Sequence, residues 1–114
     1  METIFHKMAK GEIVPQEVVY EDERVLAFRD IHPLAPVHVV IIPKTEIISL
    51  AGVTEGDKET LGHILWVAHL IAEKEGIAES GYRVVTNSGD DSTREVEYLH
   101  FHLIGGKRLG SKIG

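Results

Sequence analysis

Apolar and polar positions along this chain follow two different periods. Near the N-terminus, Ile4, Phe5 and Met8 fall on one side of a helical turn, with Thr3 placed to cap it and Gly11 to end it. This predicts a short helix. Beyond Pro15, Glu17 to Tyr20 reads as a strand, residues 21–24 (EDER) as a turn, and Val25 to Phe28 as the hairpin partner. Asp30-Ile31-His32-Pro33 interrupts the pattern, because Pro33 and Pro36 cannot sit in a central ladder. Val37 to Ile42 (VHVVII) is a β-branched run of strand length, stopped by Pro43.

The longer period then takes over. Thr54 with Asp57 three residues on resembles a capping box, with Asp in place of the usual Glu. Leu61, Ile64, Leu65, Ala68, Ile71 and Ala72 recur at spacings of three and four. They mark one apolar face of a helix of about five turns, ending near Gly76. Tyr82 to Thr86 is a strand, residues 87–93 (NSGDDST) a polar loop, and Arg94 to Ile104 a long strand closed by Gly105-Gly106. Helix, strands, long helix, two strands predicts an α+β fold with a mostly antiparallel sheet.

Length and composition narrow the function classes. The 114 residues, with no linker or repeat, predict one domain over 1–114. With 43% apolar and 26% charged residues the chain is ordinary for a globular protein. It carries 18 acidic against 12 basic residues, net −6, so sequence-independent nucleic-acid binding is disfavoured. A small anionic ligand held by a local donor cluster is compatible with that balance. The absence of Cys excludes disulfides, cysteine-based zinc sites and thiol nucleophiles. The longest apolar stretch, Leu34 to Pro43, is too short to span a membrane and contains His38. METIFHKMAKGE has no signal-peptide core, and the expectation is a cytoplasmic protein with no membrane partner.

The last predicted strand carries the candidate chemistry. Leu99, Phe101 and Leu103 share one face; Tyr98, His100 and His102 share the other, about 7 Å from one to the next. The histidines flank a bulky core residue, and a Gly-Gly turn follows at once. His38 lies in the most apolar strand, where a polar group needs a partner. His38, His100 and His102 are also a possible zinc ligand set, since three imidazoles suit that ion. His63 and His69, away from the helix's apolar stripe, are expected to be solvated, and His6 and His32 carry no assigned role.

On these residues the chain resembles the histidine triad (HIT) family, in its nucleotide-binding, nucleoside-phosphoramidase branch. The family motif alternates His with apolar residues and ends in Gly-Gly; here it stands as Tyr98-Leu99-His100-Phe101-His102-Leu103-Ile104, then Gly105-Gly106. The likeness extends over TIFHKMAKGEI, LAFRDIHPLAPVHVVIIPK, GYRVVTNSG, REVEYLHFHLIGG and GGKRLG. It implies a HIT-like fold: an antiparallel five-stranded sheet with one long helix and a short N-terminal helix, joined with a second copy into a ten-stranded sheet. It implies a purine nucleotide or nucleoside phosphoramidate as ligand, bound on each protomer of a homodimer, with no cofactor and no metal.

The resemblance also implies roles. His100 matches the nucleophile, His102 the histidine that bonds to the phosphate and leaving group, and His38 a buried histidine behind the motif. Asp30 matches the acid that holds the ribose hydroxyls and Ile31 a contact to the nucleoside. Ile4, Phe5, Met8 and Phe28 sit where the family lines the base pocket. Asn87, Thr93, Arg94 and Glu95 match the phosphate side. Hydrolysis of the P–N bond would pass through a nucleotidyl-imidazole intermediate, and imidazole suits both the attack and proton donation near neutral pH.

Two departures stand out. The first triad position is Tyr98, whose phenol is expected to sit against His38 and share the hydrogen-bond network. The phosphate loop has Ser92-Thr93 where the family carries a Gly pair, which restricts φ and hinders close backbone approach. The alternative to an enzyme is therefore a non-catalytic nucleotide-binding dimer that has lost turnover.

Overall fold

The apolar run from Val37 becomes the middle of a sheet covered on both faces, in a computed structural model that describes residues 1–113. In chain order the elements are α1 (Ile4–Ala9), β1 (Val18–Glu21), β2 (Val25–Arg29), β3 (Val37–Pro43), α2 (Lys58–Lys74), β4 (Tyr82–Thr86) and β5 (Phe101–Gly105). The strands form one sheet in the order β1-β2-β3-β5-β4, every neighbouring pair antiparallel. The α+β architecture with one long and one short helix is as expected. Among the described residues no helix is long and apolar enough to cross a membrane.

Each helix covers one face. Ile64, Val67, Ala68, Ile71 and Ala72 of α2 pack on Val25, Ala27, Val39, Ile41, Phe101 and Leu103. Burying a side chain such as Ile71 contributes about 1.5–3 kcal/mol. On the opposite face Phe5, Met8 and Ala9 of α1 pack on a smaller cluster of Leu26, Phe28, Val40, Ile42 and Tyr98. Both capping predictions are realised. Thr3 accepts from the backbone N–H of His6, whose ring in turn accepts from the Thr3 N–H at 3.0 Å. The Thr54–Asp57 box closes a 3₁₀ turn that leads into α2.

The long strand expected over Arg94 to Ile104 is much shorter. Only Phe101–Gly105 pairs with β3 and β4. β4 ends at Thr86, opposite Phe101, and β3 runs only two residues past Ile41, the partner of Phe101, to Pro43, which has no N–H to donate, so the chain before Leu99 has no ladder to join. Residues 96–98 bend instead, with the Tyr98 N–H donating to the Val96 carbonyl, and Leu99 N–H reaches Ile47 at 2.7 Å. The first strand is displaced by one residue from its expected span, with an irregularity between Val18 and Tyr20.

His63 is a second correction. Its Nε2 lies 2.6 Å from Asp22 Oδ2, which also accepts from the Tyr20 hydroxyl at 2.9 Å, and so ties α2 to the β1–β2 hairpin. Burial works against the Asp22 carboxylate. The bonds from His63, the N–H groups of Arg24 and Val25, and Tyr20 outweigh it and hold the carboxyl well below the usual range. His69 is exposed beside Glu73, as expected of a solvated position.

Candidate active site

The alternation on β5 sends Phe101 and Leu103 into the α2 core and leaves His102 on the other face. The register sets His102 between Val40 of β3 and Val85 of β4, two pairs along, and so one same-face step, from Ile104 between His38 and Arg83. His100 continues this face just ahead of the strand and is buried. The Thr86 hydroxyl donates to its carbonyl at 2.8 Å, and the Phe5 ring meets its imidazole edge-on at 5.0 Å.

Backbone groups determine which ring nitrogens carry protons. His100 Nδ1 lies 2.6 Å from the Tyr98 carbonyl. A carbonyl only accepts, so Nδ1 carries the hydrogen and Nε2 of the neutral ring holds a free lone pair. His38 is set the other way. Its Nδ1 accepts the Leu34 N–H at 3.1 Å, so Nε2 carries the hydrogen and donates to His102 Nδ1 at 2.9 Å. His102 is therefore left with Nε2–H as a donor. The two motif histidines present opposite faces of the same chemistry: a lone pair on His100, an N–H on His102.

Burial favours the neutral form of all three rings. It lowers the His38 pKa against the opposing charge of Asp30, whose Oδ2 lies 3.5 Å from Nε2. It lowers that of His100 despite the Tyr98 carbonyl bond and the charges of Asp30 and Glu95. His102, desolvated and flanked by both other imidazoles, is pushed down to about 4.

Tyr98 does not sit against His38. His102 holds that place, and the Tyr98 side chain lies at the other end of β3, buried with Leu26 and Ile42. Its hydroxyl donates to the Pro43 carbonyl at 2.6 Å, and its ring packs edge-on to His6 at 4.8 Å. The cause is the bend at 96–98, which takes Tyr98 out of the strand before the alternation can align it with the histidines. Desolvation raises its phenol to about 12. His6, assigned no role, is buried and pairs with Glu46 at 2.8 Å.

An open cavity of about 820 Å³ lies over this face, near the upper end of the range usual for small-molecule sites, about 300–1,000 Å³. It gathers His100, His102, Asp30, Phe5, Asn87, Thr93 and Glu95. His38 and Ile31 border a smaller adjoining hollow of about 300 Å³, which shares Asp30. Ile4 lines neither and is half exposed, while Met8 packs in the core beneath. Phe28 is buried under Phe5, ring centres 5.8 Å apart. Arg94 also stays out of the lining; its guanidinium bonds to Glu97 at 3.0 Å. Sequence reasoning assigned nothing to Arg83, Val85, Lys107 and Arg108, which border the cavity. The two-residue spacing of Arg83, Val85 and Asn87 on one strand face was the available signal.

The loop at 89–93 keeps a glycine-like backbone. Thr93 adopts φ +59° and ψ +36°, left-handed values that a β-branched residue rarely takes. The Ser92-Thr93 sequence has not removed the conformation; it holds it under strain.

A metal was the other reading of these histidines. Donor atoms of Asp30, His38 and His102 do lie within 4.8 Å of one another. They do not fit zinc. A neutral His38 that ligates through Nε2 must carry its hydrogen on Nδ1, facing the Leu34 N–H that now donates to it. His38 Nε2 and His102 Nδ1 are also joined by a hydrogen bond, which a bridging ion would have to replace. His100 is outside this group, its Nδ1 spent on Tyr98.

Known proteins resemble the chain over nearly its whole length. The family described as HIT domain matches residues 11–109. The purine nucleoside phosphoramidase of Escherichia coli (strain K12) is 47% identical over 96% of this chain and 91% of its own. The 14 kDa zinc-binding protein of Zea mays is 50% identical over 94% of this chain and 84% of its own. The crystal structure of a HIT family hydrolase from Legionella pneumophila superposes with a TM-score of 0.94 at 44% identity, covering 99% of this chain and 100% of that one.

Proposed function

The chain belongs to the HIT domain family, and from that footing we propose that it binds a purine nucleotide and hydrolyses nucleoside phosphoramidates at the P–N bond. The hydrolase relatives support the reaction class. The observation that carries the finer reading is the opposed state of two histidines that line one cavity, His100 with its Nε2 lone pair and His102 with its Nε2–H.

In this reading Asp30 takes the ribose hydroxyls and the phosphoryl group lies over β5. His100 Nε2 attacks phosphorus, a P–N(imidazole) bond forms, and the P–N(amine) bond breaks as the amine takes up a proton from solvent in the open cavity; the water of the second step returns one. Water then cleaves the P–N(imidazole) bond and releases the nucleoside monophosphate. The His102 Nε2–H donates to a phosphoryl oxygen throughout; one such donor contributes about 10²–10³ in rate. His38 does not touch substrate but keeps that hydrogen in place. The non-catalytic alternative rested on Tyr98 and on the missing Gly pair of the phosphate loop; against it, the bond that orients His100 comes from the backbone carbonyl of residue 98, which every residue supplies, and Thr93 keeps the left-handed backbone of a glycine. We further propose that two copies pair into a homodimer.

The test is incubation with a fluorogenic adenosine phosphoramidate. The expected result is fluorescence release, and a nucleotidyl adduct on the His100 peptide after acid quench. His100→Ala should abolish both and keep nucleoside monophosphate binding within about tenfold. Turnover that survives His100→Ala places the nucleophile elsewhere.

A further inference from the structure

Arg83, Lys107 and Arg108 border one side of the cavity in a chain with six more acids than bases. Other basic residues such as Arg29, Lys44 and Arg94 lie against carboxylates. Among the described residues, no carboxylate lies within ion-pair distance of these three; the Arg83 guanidinium donates only to the Gly110 carbonyl, at 2.7 Å. That bond draws the segment after β5 over β4, and Lys107 and Arg108 on it are exposed. Three cations with no carboxylate partner among the described residues, on one wall, make a local positive field inside an acidic molecule.

The sheet order places this wall relative to the chemistry. Asp30 follows β2, the motif histidines lie on or beside β5, and Arg83 is on β4 beyond them. With the ribose on Asp30 and phosphorus over β5, the group that departs with the amine lies over β4. Arg83 sits one same-face step from the Val85–His102 pair, about 7 Å along the strand, a distance that a long cationic side chain spans. The carboxylates of the cavity, Asp30 and Glu95, instead act on the histidines.

Resting on the function proposed above, we infer that Arg83, Lys107 and Arg108 form a subsite for an anionic group on the leaving amine, so that the substrate class is nucleoside phosphoramidates of amino acids with a free carboxylate. A guanidinium fork matches a carboxylate in shape and charge. A neutral carboxamide of the same shape loses the charge and keeps everything else.

The experiment compares adenosine phosphoramidates of alanine and alaninamide on the full chain. It measures kcat/KM with wild type and Kd with His100→Ala, each with and without Lys107→Glu/Arg108→Glu. Each exposed ion pair contributes at most about fivefold, so the carboxylate should be favoured about tenfold at low salt. The preference should shrink in high salt and disappear in the doubly reversed variant. A wild-type ratio near one overturns the subsite, as does a ratio that the reversal leaves unchanged. A Kd preference without turnover sinks the hydrolase reading and supports the subsite; turnover without preference does the opposite.

Discussion

The backbone carbonyl of Tyr98 accepts the Nδ1–H of His100 at 2.6 Å, while the Tyr98 hydroxyl points the other way and donates to Pro43. Orientation of the His100 ring and identity of the side chain at 98 are thus separate matters. Tyr98→Phe should leave kcat/KM within about threefold, because the carbonyl remains. It should lower stability by about 1–3 kcal/mol, since the buried Pro43 carbonyl loses its 2.6 Å donor. Denaturant melts and steady-state kinetics on one preparation separate the two effects. A tenfold loss of rate with unchanged stability would return the phenol to the catalytic network.

His38 acts through His102. Without its Nε2–H, nothing prevents His102 from placing its hydrogen on Nδ1 and turning a lone pair towards the phosphoryl oxygens. His38→Ala should lower kcat/KM by about ten- to hundredfold, the scale of one lost hydrogen bond to a reacting group. The loss should fall mainly on kcat. A fall in KM-dependent binding alone would mean that His38 only shapes the cavity.

Much of this arrangement was legible in the residues. The spacing of three and four from Leu61 to Ala72 located α2, and VHVVII located the central strand. Alternation from Leu99 correctly put His100 and His102 on one face. It failed at Tyr98, because periodicity carries no information on where a neighbouring strand stops, and β3 stops at Pro43. The tautomers were equally hidden. They depend on the Leu34 N–H and the Tyr98 carbonyl, backbone groups that every residue possesses. His63 looked solvated because Asp22, its partner, lies 41 residues away in sequence. The GGKRLG tail was recognised as a segment, but its approach to Arg83 is a tertiary contact with no local pattern.

Thr93 offers a test of the loop. In the left-handed region an L side chain costs about 1–2 kcal/mol, and glycine pays back part of the relief through its looser unfolded chain. Thr93→Gly should therefore raise stability by about 0.5–1 kcal/mol, read as a higher denaturation midpoint at unchanged slope, with kcat/KM undiminished. Destabilisation would show that the threonine side chain, whose hydroxyl donates to the Ser92 carbonyl at 2.6 Å, outweighs the strain.

The lowered imidazole pKa values set a pH dependence for both rate and stability. Above about pH 6.5 the folded and unfolded chains both hold these rings neutral. Below it the unfolded chain binds protons that buried His38, His100 and His102 resist, so stability is lost progressively as pH falls towards about 4, the His102 value. Asp22, held below the ordinary carboxylate range, extends the loss further into acid. The thermal midpoint should be flat from pH 7 to 8 and fall between pH 6.5 and 4. The acid limb of kcat/KM should lie below 6.5, because the proposed attack needs His100 neutral. A limb at or above pH 7 would contradict the burial argument.

Assembly follows from what the sheet leaves unpaired. β4 is the last strand in the order, so one edge of Tyr82–Thr86 has open backbone donors and acceptors. Such an edge invites pairing with another strand. α2 meanwhile exposes Leu65 at 52% and Trp66 at 55%, side chains that would bury apolar area against a second copy. An interface that pairs like with like closes as a C₂ dimer. Sedimentation velocity at micromolar concentration should therefore give a dimer. Leu65→Glu/Trp66→Glu should weaken it by about thirtyfold or more, since a central aromatic anchor is typically worth about 2 kcal/mol. A wild-type monomer at that concentration would rule the dimer out. A dimer indifferent to the double substitution would leave the β4 edge as the contact and remove α2 from it.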